Sequence, residues 1–478
     1  MNETLIRSVV EEVLSRIQNA PSLEAAPVAK RPARRQDGVF TDAGEACAAA
    51  HEAYLQLRRI GLAGREKIVQ TVKTICRDKA REWGQLEFAE TKIGRLEHKV
   101  AKLVGIPNLP GTEWLSPQGM SGDHGITLEE NCPFGVIGAI TPVTHSIPTL
   151  ACNIISMVAA GNTVVFNAHP KGARCAAEAV RVFNEAFRKV VGIENIATIV
   201  ETPTVESFDQ ICAHESVRLI CVTGGPGIVK AAMRSGKRAI CAGPGNPPVV
   251  VDESADLDKA ARDIILGGAF DNNLLCIGEK EIFVVDKVYG AFLEAFKRAG
   301  AAQLSSPQLE KLKGEAFTFT KDAGGCSHPA VNRDLVGADA AVLAKIAGAA
   351  VPSKTEMLFA ETDADDLFVI EEQMMPVLPV VRARNITEAI EMARVAEHGY
   401  KHSSIIHTLN VRHMSLMSRA LESTLFIKNG SCLAGLGSGG EGYASFSIAT
   451  TTGEGITTPT TFTRKRRCVL VDDLAMVP

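Results

Sequence analysis

The stretch Asp271-Asn272-Asn273-Leu274-Leu275-Cys276-Ile277-Gly278-Glu279-Lys280 sets one cysteine among turn-forming residues. A thiolate there would be soft, nucleophilic and a good leaving group once acylated. Two readings of Cys276 stand at this point. It sits at a helix N-terminus, whose dipole favours thiolate, or it is a small buried hydrophobe, as most free cysteines are. A second stretch, Val222-Thr223-Gly224-Gly225-Pro226-Gly227, puts glycines and a hydroxyl where a strand passes into a helix. Such a helix N-terminus accepts phosphate, although an ordinary tight turn explains the same residues. Gly435-Leu436-Gly437-Ser438-Gly439-Gly440 spells a literal G-x-G-x-x-G, but it follows no clear strand and opens no helix, so it reads as a loop. His398 and His402 share a helical face interrupted at Gly399-Tyr400. With His407 they lack a carboxylate at zinc spacing, so no metal is assigned.

The elements that must position these residues alternate. Residues 39–103 read as helical, with Thr41 or Asp42 capping one helix and a second running through 65–83. From 136 onward, strands at 136–141, 163–166, 196–201 and 217–222 alternate with helices at 147–160, 172–191, 205–213 and 227–235. A second alternation runs 248–252, 256–270, 281–285 and 288–299. Short apolar runs between helices predict parallel sheets covered on both faces. The seam between the two α/β units falls at residues 243–247. The tail, 453–478, carries Arg464 to Arg467 and reads as an edge strand open to a second subunit.

Composition limits the function classes. The chain has 478 residues, 46% hydrophobic and 22% charged, as an ordinary globular chain has. A net charge of −4, with no aromatic residues interleaved in the basic run, argues against nucleic acid as a partner. No apolar run reaches the ~18 residues of a membrane span. Twelve cysteines without a C-x-x-C, and charges where a signal peptide would need an apolar stretch, predict a reduced, cytoplasmic protein. Leu5, Ile6, Val9, Val10, Val13, Leu14 and Ile17 form one helical stripe in residues 1–18, and 19–37 read as a Pro-rich, basic linker. A tethered amphipathic helix docks on a partner, on its own body or on a sister subunit.

Five segments then occur in order. They are Gly135-Val136-Ile137-Gly138-Ala139-Ile140-Thr141-Pro142; Ala159-Ala160-Gly161-Asn162-Thr163-Val164-Val165-Phe166-Asn167-Ala168-His169-Pro170; Val222-Thr223-Gly224-Gly225; Asn272-Asn273-Leu274-Leu275-Cys276; and Glu371-Glu372-Gln373-Met374-Met375-Pro376-Val377. Their order and spacing resemble the aldehyde dehydrogenase superfamily. The variants are similar to its coenzyme-A-acylating branch, the propionaldehyde and acetaldehyde dehydrogenases of bacterial microcompartments.

The resemblance implies an α/β fold with two parallel Rossmann-type sheets and an oligomerisation segment. Residues 38–243 would bind NAD and coenzyme A, 244–430 would carry the nucleophile, and 431–478 would return to the cofactor domain and build a dimer or tetramer. Cys276 matches the nucleophile. The oxyanion donor comes from the segment 141–146, where His145 takes the usual asparagine position and Thr144 is the alternative. Thr141, Pro142, Val143, Asn167, Ala168, His169, Pro170, Thr223, Gly224, Gly225, Ala242 and Gly243 match cofactor-binding positions, and Glu372 matches a glutamate that contacts the nicotinamide ribose. Hydrolytic relatives carry a glutamate base where this chain has Cys241 in Cys241-Ala242-Gly243-Pro244. A thiol there does not activate water as a carboxylate does, and an attacking thiol needs less help. The implied reaction is oxidation of a short aldehyde, propionaldehyde in the first place, with NAD and coenzyme A. The rivals are a hydrolytic enzyme giving an acid and a non-catalytic cargo or scaffold protein. Residues 1–18 are similar to an encapsulation peptide that docks on shell proteins or co-cargo inside the microcompartment.

Overall fold

The computed structural model describes residues 36–321 and 327–474. The amphipathic stripe of residues 1–18 and most of the linker lie outside the described residues.

Strands Val136–Thr141 and Thr163–Ala168 are buried at every position. Covered on both faces, they need no polar alternation and show none. They lie at the centre of a six-stranded sheet in the order Val39–Phe40, Ala197–Val200, Thr163–Ala168, Val136–Thr141, Val217–Thr223, Arg238–Ala242. All its pairings are parallel. A second, seven-stranded parallel sheet has Pro248–Val251, Glu281–Val285 and Val377–Ala383 at or beside its centre. Helices cover both sheets, and the expected α/β alternation is present.

Three local expectations fail. Val39–Phe40 is a strand paired with Ala197–Val200, not the start of a helix. The helix expected through 65–83 is two helices, Gly61–Asp78 and Ala80–Thr91, which part at Lys79. Helix Ile386–Ala396 ends before His398, so His398 and His402 share no helical face; His402 directly precedes strand Ser403–His407. Asp42 does cap Ala43–Leu57, its carboxylate accepting from the Glu45 N–H at 2.8 Å.

A three-stranded antiparallel sheet stands apart, in the order Gln118–Gly122, Gly125–Pro133, Thr463–Val471. The tail strand pairs with its own chain along Thr463 to Val471 and leaves its outer edge open. Among the described residues no helix is long and apolar enough to cross a membrane.

Candidate active site

Asp271, Asn272 and Asn273 all have positive φ, at 51°, 56° and 66°. Asn and Asp enter this left-handed region more readily than other side-chain-bearing residues. Three in a row still need support, and their side chains supply it. Asn272 Nδ2 donates to Gly337 O and to Asp339 Oδ1, each at 2.9 Å. Asn273 Nδ2 donates to Gly268 O and Glu279 O, each at 2.8 Å. The buried Lys280 ammonium donates to Asn273 O at 2.8 Å, Leu275 O at 3.2 Å and the Asn273 side-chain oxygen. This contorted loop delivers Cys276.

No helix begins at Cys276, so the dipole expected from sequence is absent. Cys276 is partly exposed. Burial first, and the Glu372 carboxylate second, push its thiol up to about 12, while Lys280 and Lys102 act against them. With its pKa raised this far, Cys276 rests as a thiol and would act as a nucleophile only on losing its proton. Burial brings Glu372 up to about 7, opposed by Lys280 and by the Gly245 N–H.

The turn after Val136–Thr141 faces this loop through buried charge. Lys102 pairs with Asp271, and Lys99 lies 3.4 Å from Asp271 and 3.3 Å from Glu87. Both lysines also donate to Thr144 O, at 2.8 Å from Lys99 and 3.3 Å from Lys102. Lys102 Nζ lies 3.5 Å from His145 Nδ1, and Thr144 Oγ1 lies 3.2 Å from His145 Nε2. Two carboxylates and two ammonium groups are thus brought together here. Asp271 is held down to about 2 by its two lysines and the Arg95 N–H, against its burial. Burial, then Lys102 and Lys99, keep His145 well below its ordinary value and therefore neutral.

The positions matched to cofactor binding gather at the carboxyl ends of four adjacent strands, where a doubly wound sheet binds ligands. The Thr141 hydroxyl is buried without a hydrogen-bond partner among the described residues. Pro142 and Val143 are partly exposed, Ala168 is buried, and His169 and Pro170 are exposed. The Asn167 side chain is already engaged: Nδ2 donates to Thr204 O at 3.2 Å and Oδ1 accepts from Ser207 Oγ at 2.7 Å. Thr223 Oγ1 lies 2.7 Å from Ser447 Oγ. The Gly224 N–H donates to Ala242 O at 3.2 Å. Helix Pro226–Arg234 starts from Gly225 with no side-chain cap, so its first N–H groups are open to an anion. A β-carbon on Gly225 would meet nothing, whereas one on Gly243 would lie 2.5 Å from Thr451 Oγ1. Orphaned Thr141, the uncapped helix and the bare Gly225 fit a dinucleotide. Glu372 stands apart from this edge, on the Cys276 side.

Cys241 is fully buried in the apolar cluster beneath this edge. Burial and Glu454 push its thiol up to about 11. The Gly435–Gly440 segment opens no α-helix, and bends and irregular chain follow it. Sequence reasoning missed Lys99 and Lys102, and gave Asp271 and Lys280, the ends of the stretch around Cys276, no role of their own. The one available signal was Lys99, set one helical turn from both Leu96 and Leu103 on an otherwise apolar face.

Residues 24–442 match the model of the aldehyde dehydrogenase family, and the chain belongs to that family. It is 40% identical to the acetaldehyde dehydrogenase (acetylating) EutE of Escherichia coli, with all of both chains covered. A propionaldehyde dehydrogenase from the fucose-utilisation microcompartment of Clostridium phytofermentans superposes with a TM-score of 0.89 at 41% identity, covering 92% of this chain and all of that one. The Rhodopseudomonas palustris propionaldehyde dehydrogenase, solved with bound CoA and an acylated cysteine, gives 0.88 at 39% identity with the same coverage.

Proposed function

We infer that this chain is a coenzyme-A-acylating aldehyde dehydrogenase that converts a short aldehyde, propionaldehyde or acetaldehyde, to its acyl-CoA with reduction of NAD. The observation that carries the acylating outcome is Cys241. The place of the hydrolytic glutamate holds a buried thiol, high in pKa and packed among apolar side chains, so nothing there activates water. The hydrolytic alternative therefore lacks its base. The scaffold alternative leaves the costly Asp271–Cys276 loop without a purpose.

NAD bound along Thr141–Val143, Thr223–Gly225 and Ala242–Gly243 supplies the hydride acceptor. The chain's own groups do the rest. Cys276 Sγ adds to the aldehyde carbon, and its proton leaves as the carbon–sulfur bond forms. Lys280 and Lys102 favour the thiolate. The developing alkoxide lies against the Cys276 N–H and the Thr144–His145 turn, as an oxyanion requires. Hydride passing from the thiohemiacetal carbon to bound NAD would leave a thioester on Cys276; the coenzyme A sulfur would then bond to the acyl carbon as its bond to Cys276 Sγ breaks, the coenzyme A thiol proton returning to Cys276. Residues 38–243 serve the cofactors, 244–430 the nucleophile, and 431–478 an oligomer edge where Val469, Leu470 and Val471 are exposed. Residues 1–18 direct the enzyme into a bacterial microcompartment by docking on shell or co-cargo.

The test is NADH formation from propionaldehyde with and without coenzyme A, with the product trapped. Dependence on coenzyme A and recovery of propionyl-CoA support the reading; equal turnover to propionate without it overturns it. Cys276→Ala lowers turnover at least about 10³-fold while the fold persists. A chain lacking residues 1–18 keeps turnover and loses co-localisation with shell.

A further inference from the structure

We propose that Lys102 is a positioning residue that fixes the tautomer of His145, and that the Thr144 hydroxyl, backed by His145, is the side-chain donor to the oxyanion. This rests on the acylating reading above and assigns the donor that reading leaves open between two residues.

An ammonium has three hydrogens and no lone pair. Those of Lys102 face Asp271, Thr144 O and His145 Nδ1. The Lys102 ammonium only donates, and the Thr144 carbonyl that a ring Nδ1–H would otherwise seek already accepts from both lysines, so the geometry favours Nδ1 as acceptor and the proton of the neutral imidazole on Nε2. Neutrality follows from the surroundings: His145 is 6% exposed, beside two lysines. The Nε2–H faces Thr144 Oγ1 at 3.2 Å. A hydroxyl that accepts from a ring N–H keeps its own hydrogen to give elsewhere. Thr144 is partly exposed where His145 is not, so the hydrogen given to substrate comes from Thr144. The relay thus runs from the Asp271 carboxylate through Lys102 and His145 to Thr144. Asp271 lies on the nucleophile's own loop, so one buried charge positions both the donor and Cys276. Lys99 is spent on Glu87, Asp271 and Thr144 O, which leaves the imidazole to Lys102.

The decisive measurement is the ¹⁵N spectrum of the histidine-labelled enzyme, with the His145 signals identified by their loss in His145→Asn. The expected result is a protonated Nε2 and a bare Nδ1. A protonated Nδ1, or an imidazolium at neutral pH, overturns the proposal. In Lys102→Met the expected result is a mixture of tautomers and a fall in kcat of about 10²-fold, the scale of losing one oxyanion donor, with the aldehyde KM little moved. Lys102→Arg restores both. An unchanged tautomer in Lys102→Met overturns the assignment. The spectrum does not depend on which product forms, so failure here is distinct from failure of the acylating reading.

Discussion

Gly245 and Cys276 pack so closely that a β-carbon on Gly245 would lie 2.6 Å from the Cys276 carbonyl oxygen and 2.9 Å from His402 Cγ. No flexible side-chain end lies between them to give way. Gly245→Ala is therefore expected to push the nucleophile's backbone out of position. A displacement near 1 Å costs about 10²-fold in rate. Single-turnover kinetics at saturating NAD would show a slower acylation step with the circular dichroism spectrum intact.

Lys280 is the keystone of the nucleophile loop. Lys280→Met keeps much of the volume but strands the Asn273 and Leu275 carbonyls it serves. Breaking a buried charged network in this way costs about 3–5 kcal/mol. The variant should unfold at clearly lower urea concentration. Glu372, now held at about 7 with Lys280 pulling it down, should titrate higher still.

Glu372→Gln tests the electrostatics of the thiol. The Glu372 carboxylate raises the Cys276 pKa, second only to burial. A neutral glutamine removes that contribution, so the pKa falls and more thiolate is present at any pH below it. Iodoacetamide should label Cys276 faster at pH 8, by up to about tenfold, the equivalent of one pKa unit. Mass spectrometry of the Cys276 peptide reads this separately from the other cysteines. Slower labelling would contradict the sign.

The parallel sheets were legible because fully buried strands write themselves as apolar runs, as in Val164-Val165-Phe166 of the strand read at 163–166, which the structure extends to Ala168. Strand Gln118–Gly122 was not, since every residue in it is exposed and no burial pattern marks it. Lys79, with φ −98° and ψ 9°, parts two helices where the apolar stripe continues without a sign. At the site, Cys276 and the strand-end turns could be singled out because five short segments keep their order and spacing, although each alone leaves its reading open. Lys102 could not, because its partner Asp271 is 169 residues away. Nor was the high pKa of Cys276 visible, since it arises from burial and from Glu372, distant in sequence.

The Glu87–Lys99–Asp271–Lys102 cluster joins helices of the cofactor-side sheet to the loop that carries the nucleophile. The backbone bond from the Gly94 N–H to Gly337 O runs beside it. Pulling the two halves apart would drag four ionised groups, at most about 1% to 3% exposed, into unpaired states, a cost far beyond thermal fluctuation. Buried charge therefore ties the two α/β halves together at the candidate site.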